Sequence, residues 1–517
     1  MSSYVLKASD QMLRMPMLKT SLRMMSLIGI NLVALYLVVA LYAQQQIAFA
    51  LLVLVVVASA SFVFYSRRAY AHRYIYPAVA GMGIFVIFPL LYTVGIGFTN
   101  YSASNLLDLD RVQEYHLSQS YLSSGKYPFK VIQADDGYHL QLQDKANGIV
   151  LSSKLPVIPE SETESEYRIN LQPQLSVVGD ELKIRDIIKL KESLSSLVLI
   201  TPDNEQLKLS GLRNFAAYEP VYSLKGDGSL LDNRSGELLT INFEEGFYQK
   251  ENGELVAPGF TVTNGGENFL RVLTDDSIRG PFFQIFIWTM IFSTGTVVFT
   301  LAVGLVLANI LQWDRVRGKA FYRTFLILPY AVPAFISILV FKGLFNQNFG
   351  EINLVLETLF GISPDWFSDP TMARTMILIV NTWLGYPYMM LLCMGLLQSI
   401  PHDLYEASAM DGAGPLDNLF KITLPLIIKP LTPLLIATFA FNFNNFVLIS
   451  LLTSGAPDII GASTPAGTTD LLVSYTYRIA FQDSGQDFGL AAAIATFIFL
   501  LVGGMALLKL RLTKMEV

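Results

Sequence analysis

The chain of 517 residues is 52% hydrophobic and only 15% charged, with a mean hydropathy of +0.45, which is more apolar surface than a soluble core can bury. Its net charge of −6 excludes a nucleic-acid partner, whose phosphates require a basic face. The single cysteine, Cys393, lies inside an apolar run and excludes an internal disulfide framework.

Apolar runs close to the roughly 20 residues that cross a bilayer fall at about 25–43, 47–65, 75–98, 282–310, 321–345, 373–397, 427–452 and 487–509. They predict an α-helical polytopic membrane protein with eight transmembrane helices. Ala40 to Ala43 resembles a signal-peptide cleavage site, but the first run exceeds the roughly 7–15 residues of a signal core and a second span follows at once. An uncleaved anchor is expected.

Lys and Arg sort to alternate loops. Lys7, Arg14, Lys19 and Arg23 precede the first run, and Arg67, Arg68 and Arg73 separate the second and third. Arg315, Arg317, Lys319 and Arg323, then Lys421 and Lys429, then Lys509, Arg511 and Lys514 follow on the same side of an eight-span topology. Both the amino terminus (1–24) and the tail (511–517) are therefore expected to be cytoplasmic, with helices one to three at 25–98 and a transmembrane core at 282–510.

Residues 99–281 are polar and too long for a connection, so they are expected to form a domain on the opposite face. Turn signals at Asp136-Gly137, Asn147-Gly148, Gly226 to Gly228, Ser235-Gly236 and Asn252-Gly253 separate strand-like stretches at 138–142, 238–243 and 260–262, which reads as β-rich. Asp227, Asp232 and Glu237 lack the ligand order of a calcium loop and are read as turn carboxylates, and Ser161 to Glu166 as an exposed loop.

No Gly-x-x-x-x-Gly-Lys-Ser/Thr loop is present: Gly125-Lys126 and Gly318-Lys319 are followed by Tyr and Ala. The middles of the spans hold no Asp, Glu, Lys or His with which to couple an ion, and Lys342 and Lys429 sit near span ends, where a long stem can snorkel. Any driving force is thus expected from another subunit, and the chain itself from outside the enzymes.

The segment 398–426 has the form of a docking knob. Ser399 and Pro401 are suited to open a helix, Gly412 to end it in the left-handed conformation, and Pro415 to start a second helix carrying Leu416, Leu419 and Phe420 on one face. Glu406-Ala407-Ser408, then Asp411-Gly412, then Ile422-Thr-Leu-Pro425 match the coupling motif of permease subunits of binding-protein-dependent ABC importers, with Ser408 in place of a second Ala. Phe88-Pro-Leu-Leu, Phe98-Thr-Asn100, Gly350-Glu-Ile-Asn353 and Trp366, together with the extra amino-terminal spans and the insertion after the third, make the whole chain resemble the maltose/maltodextrin permease family of such importers.

That resemblance implies an inner-membrane location, a β-rich periplasmic domain, and an ATPase contact at Glu406, Ala407, Ser408, Asp411 and Gly412. It also implies a second homologous permease, two copies of an ABC ATPase that hold ATP and Mg, a periplasmic maltose-binding protein, and no cofactor in this chain.

A sugar needs apolar surfaces for its C–H faces and neutral hydrogen-bonding groups for its hydroxyls. Thr438, Phe441, Asn442 and Asn445 recur at helical spacing in the seventh run, and Leu384, Gly385 and Tyr388 lie in the sixth, where Pro387 is expected to disturb the helix. By chemistry alone Asn442 and Asn445 serve equally well as glue between helices. In the resembling family the matching positions contact maltose, which implies stacking by Phe441 and Tyr388 and hydrogen bonding by the amides, with Thr438 and the Gly385 backbone as further contacts. An ion-coupled carrier would place ionisable groups at membrane depth, a receptor would favour a cytoplasmic signalling domain, and a glycan-modifying enzyme would need paired carboxylates. None of these features is found in the sequence.

Overall fold

Asp275 and Asp369 each cap the start of a long apolar helix, accepting from the backbone N–H of Ser277 and of Met372. In the computed structural model, which describes residues 25–26, 28–66, 68–134, 137–143, 150–154, 167–173, 179–202, 205–313 and 315–514, these helices form the centre of one of two units. The membrane unit comprises the chain up to Ser102 and from Thr263 onward, and the second unit is Ala103–Val262. The insertion therefore ends earlier than the 281 expected, because Glu267–Thr274 belongs to the membrane unit, where Val272 joins its core.

The helices of the membrane unit are, in chain order, α1 Ile28–Ala43, α2 Ile47–Tyr65, α3 His72–Ile96, α4 Glu267–Thr274, α5 Asp276–Gln312, α6 Lys319–Ile327, α7 Ala334–Leu344, α8 Glu351–Phe360, α9 Pro370–Leu397, α10 Asp403–Met410, α11 Pro415–Phe443, α12 Phe446–Leu452, α13 Leu472–Phe481 and α14 Phe488–Lys514. Among the described residues α2, α3, α5, α9, α11 and α14 are long and apolar enough to cross a membrane, and α1 is a shorter apolar helix. Two expected spans are not single helices. The run 321–345 is bent by 91° between α6 and α7, since Pro329 and Pro333 bring a tight turn and an extended residue into its middle. The run 427–452 breaks at Asn444 and Asn445, leaving α12 as a separate short helix. Of the basic residues preceding the first span, Lys7, Arg14, Lys19 and Arg23 lie outside the described residues, as do Arg67 and the side chains of Lys509, Arg511 and Lys514.

Helices α5 and α9 approach closely through glycine. A Cβ on Gly304 would come within 2.7 Å of the Met390 backbone nitrogen, and one on Gly385 within 2.8 Å of Thr300 Cγ2. Leu305, Ala308, Met390, Cys393, Ile427 and Leu431 close one end of the α5–α9–α11 contact. Trp288, Phe292, Ile338, Met376 and Leu448 fill another layer, and Ile285, Phe443, Tyr475 and Ile494 a third. Lys342 does not simply snorkel: its Nζ donates to the Leu451 carbonyl at 3.3 Å, one residue before the end of α12. Trp366 Nε1 donates to Asn353 Oδ1 at 2.7 Å, and that amide in turn donates to the Gln347 and Pro364 carbonyls, so the Gly350–Asn353 and Trp366 elements lock the segment between α7 and α9. The loop after α12 is clasped by Asp470, fully buried, which accepts from Gly467 N–H, Ser474 Oγ and Arg478 Nη1. Burial raises the Asp470 carboxyl above the usual range, against the opposing pull of Arg478.

The second unit is β-rich. A nine-stranded sheet runs in the order β4 (Tyr167–Asn170), β7 (Leu197–Ile200), β8 (Gln206–Leu209), β9 (Asn214–Pro220), β1 (Ser120–Ala134), β2 (Gly137–Gln143), β3 (Val150–Lys154) and β5 (Gln172–Pro173), with β6 (Asp180–Glu181) also paired to β1. β10 (Tyr222–Leu224), β11 (Leu230–Asp232), β12 (Leu238–Asn242), β13 (Phe247–Gln249) and β14 (Leu255–Val256) form an antiparallel meander. Four expected turns are hairpins in register: Ala134 pairs with Gly137, Leu224 with Leu230, Leu231 with Leu238, and Gln249 with Leu255. Asn147-Gly148 and Ser161 to Glu166 lie outside the described residues. Phe260 makes only an isolated bridge with Leu107, so 260–262 is not a strand. Three helices of this unit, at Leu109–Ser118, Ile184–Lys189 and Lys191–Ser195, are not legible from the turn pattern. Asp227 accepts from the Ser229 N–H and hydroxyl, and Asp232 from the Arg234 guanidinium, so both carboxylates are engaged in local turns.

Candidate functional site

The elbow between α9 and α11 is built by local chemistry. Ser399 does not open a helix: its hydroxyl donates to the Leu396 carbonyl and closes the end of α9. α10 begins at Asp403, with Asp403 and Glu406 in the first turn, where the helix dipole favours negative charge. It ends at Gly412, whose φ of +80° is left-handed, while the Ala413 N–H reaches back to the Ser408 carbonyl. Pro415 then occupies the first turn of α11. The expected second short helix is thus the beginning of a membrane helix, joined to it through a wide π-helical turn at Asn418–Thr423.

Two hydroxyls tie the elbow together. Ser408 Oγ donates to Asn418 Oδ1 at 2.7 Å, and the Tyr405 hydroxyl lies 2.9 Å from Thr423 Oγ1, itself buried. Both bonds join α10 to the π turn of α11. The outer surface keeps Met410, Leu416 and Phe420 exposed at 88%, 71% and 62%, beside the exposed carboxylate of Glu406. Leu419 turns away from that face and packs against the α5–α9–α11 core.

Inside the bundle a buried polar hub joins α5, α9, α11 and α12. Asn381 Nδ2 donates to Thr296 Oγ1 at 3.0 Å and to Asn442 Oδ1 at 2.7 Å, while its Oδ1 accepts from Asn445 Nδ2 at 3.3 Å. Asn442 Nδ2 donates to the Thr438 carbonyl, and Asn445 Oδ1 caps α12 at the Leu448 N–H. Thr289, Ser293 and Thr300 on α5 return their hydroxyls to their own helix, so the buried polar stripe there is satisfied.

This arrangement alters the expected sugar face. Thr438, Phe441, Asn442 and Asn445 do not lie on one continuous helix, since α11 ends at Phe443 and Asn445 belongs to the cap of α12. Asn442 is buried in the hub, whereas Phe441 is 71% exposed. In α9 the helix runs unbroken through Pro387, Gly385 is pressed on Thr300, Leu384 is half-buried, and Tyr388 is exposed. The aromatics thus face outward from the chain while the amides bond one another. Asn381 is absent from the sequence-level candidates. Its signal is spacing, four residues before Gly385 on the same face of α9.

Apolar helices of membrane-crossing length, a buried amide hub and an exposed elbow continuous with a membrane helix define a helical membrane permease. Residues 300–514 match the family described as "Binding-protein-dependent transport system inner membrane component". Residues 107–265 match "Maltose transport system permease protein MalF P2 domain", and residues 21–68 match "MalF, N-terminal region, transmembrane helices". The "Maltose/maltodextrin transport system permease protein MalF" of Vibrio parahaemolyticus serotype O3:K6 is 56% identical over 487 residues, covering 93% of this chain and 92% of that protein. The protein of the same name from Escherichia coli strain K12 is 55% identical over 489 residues, covering 93% and 94%. The chain belongs to the MalF family of permease proteins and is a permease subunit of an ABC importer in the inner membrane. A solved bacterial alginate ABC transporter chain in complex with an alginate-bound periplasmic protein is similar over 47% of this chain and 81% of its own, with 21% identity and a TM-score of 0.39.

Proposed function

We propose that this subunit, paired with a second homologous permease, forms the path by which maltose and maltodextrins cross the inner membrane, driven by two separate ABC ATPase subunits. Those subunits would hold the ATP and Mg, and this chain would contribute no hydrolytic group. The observation that carries the reading is the elbow: exposed Met410, Leu416 and Phe420 offer apolar anchors, Glu406 offers a charge, and the Ser408–Asn418 and Tyr405–Thr423 bonds stiffen the link to α11. Closure of the ATPases on Glu406, Ala407, Ser408, Asp411 and Gly412 would swing α10 and shift α9 and α11, switching access. The periplasmic maltose-binding protein would deliver sugar to the β-rich unit and external loops, with both termini of the chain cytoplasmic.

For the cargo, the maltose/maltodextrin names of relatives more than 50% identical support the sugar class. Phe441 and Tyr388 would stack on sugar rings. Leu384, Gly385, Thr438, Asn442 and Asn445 would complete the site once the hub opens, exchanging amide–amide bonds for amide–hydroxyl bonds.

Purification of the assembly in mild detergent, followed by identification of the co-purifying chains, tests the coupling. An ATPase is expected, and its absence overturns the reading. Glu406→Lys should release the ATPase with the permease still inserted. Phe441→Ala should lower maltose uptake by at least tenfold with the assembly intact, and normal uptake would refute the proposed sugar contact.

A further inference from the structure

Between α2 and α3 lies a groove lined by none of the residues proposed above for transport. Its volume is about 610 Å³, and its walls are Phe62 and Val63 from α2 and Ile75 and Val79 from α3. The polar groups at its base are paired with each other: Ser59 Oγ and the Tyr76 hydroxyl lie 2.9 Å apart, and the Tyr76 hydroxyl donates to the Val56 carbonyl. The groove is therefore apolar along its length, and both helices lie largely unburied in the bundle.

Its mouth is cationic. Arg73 is spent on the turn between the helices, donating to the Val63 and Ser66 carbonyls and lying over the Tyr70 ring. Arg68 and His72 line the groove, and among the described residues neither makes a side-chain hydrogen bond or ion pair. From Ile47 to Met82 the sequence contains no Asp or Glu. A guanidinium at the end of a membrane helix is thus left without a counter-ion from its own hairpin.

We infer that this groove binds an anionic phospholipid, its phosphodiester against Arg68 and His72 and an acyl chain along Phe62, Val63, Ile75 and Val79. A small soluble anion would satisfy the charge but leave the apolar walls uncovered, whereas a zwitterionic lipid would cover the walls but bring a quaternary ammonium with its phosphodiester, leaving the net positive charge at Arg68 uncompensated. An anionic lipid meets both requirements in one molecule.

The test uses the complete importer assembly in mild detergent, titrated with phosphatidylglycerol or with phosphatidylcholine of the same acyl chains and examined by native mass spectrometry. Phosphatidylglycerol should be retained about fivefold more strongly, the factor expected for one basic residue beside lipid of net negative charge. Arg68→Gln should remove that preference, Arg68→Lys should keep it, and Arg323→Gln on another basic loop should leave it unchanged. A photoreactive benzoylphenylalanine at position 62 should crosslink to lipid. Equal retention of the two lipids, an Arg68→Gln variant that still prefers phosphatidylglycerol, or an equal loss with Arg323→Gln would overturn the site. So would competition by inorganic phosphate alone, or a crosslink from position 62 to another protein chain.

Discussion

Ser408 Oγ donates to Asn418 Oδ1 at 2.7 Å, across the bend that Gly412 creates between α10 and α11. Serine at this position is therefore more than a small residue tolerated where a second alanine stands in the motif. The bond joins a surface helix to the π turn of a membrane helix. Ser408→Ala should cost about 1 kcal/mol of local stability and loosen that joint. In the reconstituted importer, uptake per ATP hydrolysed should fall while the assembly still forms; unchanged coupling would show that the joint is not part of the transmission.

Asn381 holds partners on three other helices. Asn381→Leu removes its bonds to Thr296, Asn442 and Asn445 and leaves the Thr296 hydroxyl, Asn442 Oδ1 and Asn445 Nδ2 without that partner in an apolar bundle. A loss of about 1–2 kcal/mol is expected, read as a lowered thermal midpoint in detergent. Thr296→Val removes a single bond and should cost less, about 0.6 kcal/mol.

Two glycines separate packing from propensity. A Cβ on Gly304 meets the backbone and Cβ of the Met389–Met390 segment below 3 Å, and backbone cannot move aside cheaply. Gly304→Ala should separate α5 from α9 and cost about 1–3 kcal/mol. At Gly395 nothing lies within 4 Å of the added carbon, so Gly395→Ala should be neutral or stabilise α9 by about 0.5–1 kcal/mol. The thermal midpoint should fall for Gly304→Ala and stay level or rise for Gly395→Ala.

In the meander, the hydrogen bond from Arg234 holds the Asp232 carboxyl below the usual carboxylate range. A carboxyl with a depressed folded pKa contributes stability that is fully present above its unfolded pKa, about 4, and is lost as pH falls through the lower folded value. Hydrogen exchange at β11 and β12 in the full chain should accelerate as pH falls below about 4, after correction for the intrinsic rate. Arg234→Gln should weaken that dependence, since the backbone hydrogen bonds to Asp232 remain.

The apolar runs, the hairpin turns and the bend of the elbow were legible because each depends on residues close together in sequence. The 91° bend between α6 and α7 carried local signals as well, in Pro329 and Pro333, yet hydropathy averaged over them. The helices of the β-rich unit escaped because Leu109–Ser118 and Ile184–Lys189 are short and lie among turn signals that favour strands.

By itself the sequence determined that this chain lives in a membrane, that a polar insertion interrupts its helices, and that Gly412 and Pro415 make a bend, since hydropathy and backbone freedom are local properties. Only tertiary structure decided what the side chains do. Asn442 and Asn445 shared one face with Thr438 and Phe441 on a helical wheel, but the break after Phe443 turned them to Asn381, because an amide in an apolar bundle takes the nearest partner. The Ser408–Asn418 bond was likewise decided in three dimensions, as ten residues and a left-handed glycine separate its two ends.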